Sequence, residues 1–260
     1  MPDGKKMKRN IKLLLTYDGS AFHGWQSQPD RRTVQDVLED AVERLTGCRS
    51  GVCASGRTDA GVHAEGQVAN FHTTSAIPLK AFKHGLNSLL PADMSVLDAE
   101  EVEYDFHAIG SCKEKEYEYR ILYSSTRQPL WRKRAWRRAE HPDIAAMRRA
   151  AGHFTGTRDF SSVRASGCSA RHSVRTITLC DIRREPVFSG YPADGFLIVV
   201  RIAANGFLRY MVRNITGLLV EVGAGRRSAD DIPAILEARD RSVAGITAPA
   251  HGLYLKRVIY

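Results

Sequence analysis

The spacing of apolar positions changes several times along the chain, and each change marks an element. Over residues 8–17, Ile11 and the run Leu13, Leu14 and Leu15 read as a strand, which Asp18-Gly19 closes as a turn. An aromatic loop, Phe22-His-Gly-Trp-Gln26, follows. From Thr33 to Gly47 the period becomes helical: Val34, Val37, Leu38, Ala41, Val42 and Leu45 fall on one stripe. Thr33 and Asp36 have capping-box spacing, and Gly47 supplies the stop. Short strands over 51–54 and 67–73, a helix over 78–89 and a strand over 95–102 complete a β-α-β-β-α-β order. That order is the split βαβ pattern of ferredoxin-like domains.

The order then recurs. A strand over 115–123 precedes a helix opened by Pro142, with Ile144, Met147, Ala151 and Phe154 on one face. Strands over 174–184 and 195–203 flank a turn at 185–190. A long helix over 207–222 carries Leu208, Met211, Val212, Ile215, Leu218, Leu219 and Val222 as its stripe. A smaller helix capped by Ser228 and a strand over 252–260 follow. The halves share element order and no sequence repeat. The expectation is an α+β (mixed α/β) chain of two ferredoxin-like βαββαβ domains, residues 1–105 and 106–260. They would share an extended, mostly antiparallel sheet with an active-site cleft between them.

Charge adds a direction to this frame. Lys and Arg exceed Asp and Glu by 38 to 29, a net +9, which raises the expectation of a polyanionic partner. The excess is concentrated. Arg127, Arg132, Lys133, Arg134, Arg137 and Arg138 surround Trp131 and Trp136, and Arg158, Arg164, Arg171 and Arg175 follow in a Ser- and Gly-rich segment. Basic side chains interleaved with aromatics suit a phosphate backbone whose bases can stack; a solvated charged strand is the plainer alternative. No apolar run approaches the roughly 20 residues of a membrane span. The apolar run after the basic start is too short for a signal peptide. The five cysteines are odd in number and form no Cys-x-x-Cys pair, which argues against a disulfide framework and a zinc site. A cytoplasmic location is expected.

The chemistry concentrates in Ser55-Gly-Arg-Thr-Asp59-Ala-Gly-Val-His63, a polar stretch held between two strands and punctuated by Gly56, Gly61 and Gly66. By itself this could be a hairpin in which Asp59 caps its own turn. Around it stand Thr16-Tyr-Asp-Gly-Ser20 with Phe22-His-Gly-Trp-Gln26, then Phe106-His-Ala108, then Lys115-Glu-Tyr117-Glu-Tyr119-Arg120. Phe207-Leu-Arg-Tyr-Met-Val-Arg213-Asn214 and Thr247-Ala-Pro-Ala-His-Gly-Leu-Tyr254 complete the set. In this order the blocks resemble the tRNA pseudouridine synthase A family over nearly the whole chain. Two positions depart from its usual pattern: Ile109 where Arg is common, and Tyr210 where His is common.

The resemblance implies an isomerase that converts uridine to pseudouridine at positions 38 to 40 of the tRNA anticodon stem-loop. In that reaction the base leaves C1′ through N1 and rejoins it through C5. One carboxylate can attack C1′ or take the C2′ proton. Two are not needed, as they usually are in glycoside hydrolysis, because the leaving base is also the acceptor. The resemblance assigns that carboxylate to Asp59, with Arg213 as its partner cation, Tyr117 facing the base and Arg57 filling the gap left by an extruded uridine. His63 is expected to order the loop rather than act as a base. No metal or organic cofactor is expected, and the resemblance implies a homodimer that binds one tRNA across two subunits.

Overall fold

The computed structural model describes residues 8–187 and 195–260, so the basic first residues and part of the expected 185–190 turn lie outside the described residues. The described chain is α+β, with ten strands and five α-helices, and its strand pairs are mostly antiparallel. It divides into two compact units: one runs to Lys113 and is completed by Leu255–Tyr260, and the other is Glu114–Tyr254. The expected boundary at 105/106 falls inside the first unit. Residues just after it are tied there by polar bonds: Asn10 Nδ2 donates to Phe106 O (2.9 Å), Ala108 N to Asn70 Oδ1 (2.9 Å), and Tyr260 Oη to Ala108 O (2.8 Å).

In the first unit, strand β1 (Arg9–Tyr17) runs antiparallel between β3 (His63–Thr73) and β4 (Met94–Val102). Strand β3 also pairs with the two-residue β2 (Cys53–Ala54) and with β10 (Leu253–Ile259). Helix α1 (Val34–Thr46) begins where expected. Thr33 Oγ1 accepts from Asp36 N, but its own hydroxyl donates to Asp36 Oδ2, so only the forward half of the capping box forms. Two more N–H groups of its first turn are taken by Gly24 O (3.1 Å) and Trp25 O (3.0 Å). Gly47 ends it at φ 75°, the left-handed conformation that glycine tolerates. Helix α2 (Leu79–Leu89) lies against α1 at Gly85, where any Cβ would come within 2.6 Å of Leu45.

In the second unit, β5 (Glu114–Tyr123) pairs with β6 (Trp136–Arg138) in parallel and with β9 (Phe196–Ala204) antiparallel. Beyond β9 come β8 (Val174–Pro186) and β7 (Gly156–Asp159). Strands β6 and β7 were not expected, since three or four residues carry too little alternation to read. Helix α3 (Ile144–Gly152) is capped by Asp143, which accepts from Ala146 N at 2.8 Å. It meets α4 (Met211–Gly223) at Gly223, where a Cβ would lie 2.7 Å from Met147 Sδ. Helix α4 starts four residues later than its apolar stripe suggests. Tyr210 sits at φ 62°, which a right-handed helix cannot contain, so buried Leu208 belongs to the approach rather than the helix. The shorter α5 (Ile232–Glu237) follows a turn at Ser228, where Ser228 and Asp231 form a complete capping box.

Candidate active site

The loop from Ser55 to Val62 has no regular structure, yet it is fixed along its length. At its start Ser55 and Gln67 are fully buried. Ser55 N donates to Val68 O (2.7 Å), Ser55 Oγ to Gln67 Oε1 (2.7 Å), and Gln67 Nε2 to Gly56 O (2.8 Å). Midway, Thr58 O accepts from Trp25 N at 3.0 Å, and Thr58 Oγ1 shares a buried 2.8 Å bond with Tyr17 Oη. Burial pushes the Tyr17 phenol up to about 12. At the far end Gly61 N donates to Phe22 O (3.3 Å) and Val62 N to Asp59 O (3.1 Å). Two glycines permit this contact. A Cβ on Gly19 would lie 2.0 Å from Val62 O, and one on Gly24, at φ 87°, would lie 2.7 Å from Thr58 O.

This bracing sets the exposure of the candidate residues. Asp59 is half-buried between fixed neighbours, and Arg57 is exposed. His63 is the first residue of β3 rather than part of the loop, and only 2% of it is exposed. Its Nδ1 accepts from Gly19 N at 3.1 Å and lies 3.2 Å from Asp18 Oδ1, so it ties the Asp18-Gly19 turn to the loop's exit. Glu65, the carboxylate nearest to Asp59 further along the chain, is engaged by Lys256.

The second unit supplies the other two candidates. Tyr117 on β5 is buried, with its ring edge-to-face on Phe207 at 5.0 Å. Tyr119, two residues on, is fully buried, and its hydroxyl donates to Pro249 O at 2.6 Å. Burial raises its pKa, opposed in part by the charge of Arg213. Arg213 is not a stem lying along apolar surface with its head in water. Its Nε donates to Ala248 O at 2.8 Å, its own carbonyl accepts from Ala248 N at 3.1 Å, and its guanidinium stacks 4.3 Å from the Tyr210 ring centroid. The two sequence blocks around 207–214 and 247–254 therefore meet at this arginine.

Residue-by-residue reading missed Asn214. It is fully buried, donates to Val163 O (2.8 Å), and accepts from Thr247 Oγ1 (2.6 Å) and Arg241 Nη2 (3.2 Å). The available signal was a polar amide amid the apolar stripe of α4. Ile109 is 53% exposed. Among the described residues, no group of three or more His, Cys, Asp or Glu is placed to hold a metal ion, and no helix is long and apolar enough to cross a membrane.

A family described as "tRNA pseudouridine synthase" matches this chain over residues 14–109 and 150–260, which takes in the Asp59 loop, α4 and the 247–254 block. The chain belongs to that family. Named relatives of the tRNA pseudouridine synthase A family match it nearly end to end. The protein of Acetivibrio thermocellus is 47% identical over 97% of this chain and 100% of its own length. That of Citrifermentans bemidjiense is 46% identical over 97% and 98%, and that of Myxococcus xanthus 46% over 96% and 91%.

The basic, aromatic segment outside the main match region is arranged differently from its sequence reading. Arg127, Arg132, Lys133, Arg134 and Arg137 are exposed. The tryptophans are turned inward: Trp131 packs on Leu122, Ala135, Val187, Leu197 and Val199, and Trp136 lies edge-on to Tyr119 at 6.4 Å. The cations face outward, with Arg137 donating to Ser125 O and Thr126 O, while the rings are engaged in packing rather than offered to bases.

Proposed function

We propose that this protein isomerises uridine to pseudouridine in tRNA, at positions 38 to 40 of the anticodon stem-loop. The observation that carries the reading is the family match over both units together with the intact Arg57-Thr-Asp59 loop. In this reading Asp59 is the catalytic carboxylate, attacking C1′ or taking the C2′ proton. Tyr117, Arg57 and Arg213 are the substrate-binding residues. Arg57, exposed on the braced loop, is suited to enter the stem as the uridine leaves it. The protein works as a homodimer in the cytoplasm and needs no cofactor. Sedimentation at micromolar concentration showing only a 28.9 kDa species would remove the dimer.

The deciding experiment is carbodiimide mapping of pseudouridine in tRNA incubated with the purified protein and with Asp59→Asn. The wild type should modify the anticodon stem, and the variant should bind tRNA equally well and modify nothing. An Asp59→Asn variant working within about tenfold of wild type, roughly 1.4 kcal/mol of barrier, would leave Asp59 as a turn cap, a role asparagine fills well.

A further inference from the structure

The second unit contains an open cavity of about 480 Å³ whose lining includes Arg164, Arg239 and Arg241, with Ser166 and Gly167 giving it room and Asp240 at one side. We propose that this cavity seats one phosphate of the RNA backbone, with Arg239 as the donor that closes on it. The inference rests on the reading that the chain acts on tRNA.

Two of the three guanidinia are held in place. Arg164 donates to Ser173 Oγ (3.1 Å) and Cys168 O (2.7 Å). Arg241 donates to Gly245 O (3.0 Å), Thr247 Oγ1 (2.9 Å) and Asn214 Oδ1 (3.2 Å). Each guanidinium has five N–H groups, so both keep donors beyond these bonds. Arg239 differs. Its side chain is 70% exposed, and its Nε lies 3.5 Å from Asp159 Oδ2, while Ser161 N and Oγ both donate to the other oxygen, Oδ1. An exposed, long ion pair of this kind contributes little and is easily exchanged for a better anion.

The balance of charge points the same way. Three cations line the cavity with Asp240, to which Ser242 donates from its N at 2.8 Å and its Oγ at 2.6 Å, and Asp159 lies 3.5 Å from Arg239, so the arginines exceed the nearby carboxylates by one. Like charges gathered around one space repel, and an anion between them relieves that repulsion. Guanidinium forks match phosphate oxygens in pairs. No aromatic ring lines the cavity, so it offers a base nothing to stack on. Asn214 ties the cavity wall at Arg241 to α4, one residue after Arg213.

The test is the salt dependence of tRNA binding, with steady-state kinetics alongside, for the full-length wild type, Arg239→Gln and Arg183→Gln. Arg183 is an exposed arginine on β8 paired with Asp181 at 2.8 Å, and it controls for loss of one charge. Losing one phosphate contact should reduce the slope of log K against log salt by about 0.7–0.9 in Arg239→Gln. KM should rise roughly five- to tenfold with kcat unchanged, because the contact is the same in ground and transition states. Arg183→Gln should keep the wild-type slope. An unchanged slope in Arg239→Gln, or an equal loss in both variants, overturns the phosphate seat. A wild type that forms no pseudouridine while Arg239→Gln still lowers the slope would sink the enzymatic reading and leave the seat standing.

Discussion

Replacing Gly24 by alanine should slow the reaction without touching a reacting group. Gly24 sits at φ 87°, and an added Cβ would lie 2.7 Å from Thr58 O and 3.1 Å from the carbonyl carbon of Asp59. Thr58 O would have to withdraw by about 0.7 Å to reach ordinary contact, and it carries Asp59 with it. The left-handed backbone costs alanine about 1 kcal/mol, and forcing atoms into packed space costs about 1–3 kcal/mol more. A loss of roughly 2–4 kcal/mol is therefore expected in urea unfolding. Displacements near 1 Å at a reacting group cost up to about 100-fold, so single-turnover isomerisation should fall between roughly 10- and 100-fold. Affinity for tRNA, spread over many cations, should stay within about twofold. Gly85→Ala is the comparison, since the nearest atoms its Cβ would meet belong to the Leu45 side chain between α1 and α2. It should cost stability and leave the rate alone. A Gly24→Ala protein that is destabilised as expected but isomerises within about twofold of wild type would refute the idea that this glycine sets the position of Asp59.

Asn214→Leu should cost roughly 3 kcal/mol, because Val163 O loses its donor and Thr247 and Arg241 lose a shared acceptor in a fully buried place; a loss below about 1 kcal/mol by urea unfolding would show the network to be dispensable. Acid should act through Asp159, whose hydrogen bond from Ser161 holds its carboxyl below its ordinary 3.8. Its contribution is complete above that value and fades as pH falls through the lower, folded one. Asp159→Asn should therefore flatten the acid limb of a stability–pH curve and leave the slope above about pH 5 unaltered. An acid limb of wild-type steepness in the variant would remove Asp159 from the account.

Much of this was readable because the relevant signals are periodic or local. The α1 stripe, its Thr33 cap and its Gly47 stop all lie in one window of sequence, and each was found in place. The loop itself stood out as a local pattern, polar and glycine-punctuated between two strands, but that pattern alone suits a turn cap equally, and the role expected of Asp59 came from the family resemblance. What failed to show depends on backbone conformation or on partners distant in sequence. The late start of α4 follows from one dihedral at Tyr210, which an apolar stripe does not encode. Part of the clamp on the Asp59 loop is made by Trp25 N and Phe22 O, main-chain groups that every sequence possesses. Trp131 and Trp136 misled for a related reason: composition says which residues are near one another in the chain and not which way they face.

The division of the chain has a consequence for how the protein is made. Residues from Leu255 onward complete the first unit by joining β3, yet about 140 residues of the second unit are translated before them. While the ribosome works through those residues, part of one edge of β3 stands open, a hydrogen-bonding template for any passing strand. The first unit is thus the first to begin folding and the last to finish. Its slow step is expected to be the closure of a loop that contains the whole second unit, a long-range contact of the kind that delays folding. Chaperone dependence in the cell, should it be found, is expected to trace to that interval and to be relieved by a circular permutation that brings residues 255–260 ahead of β1.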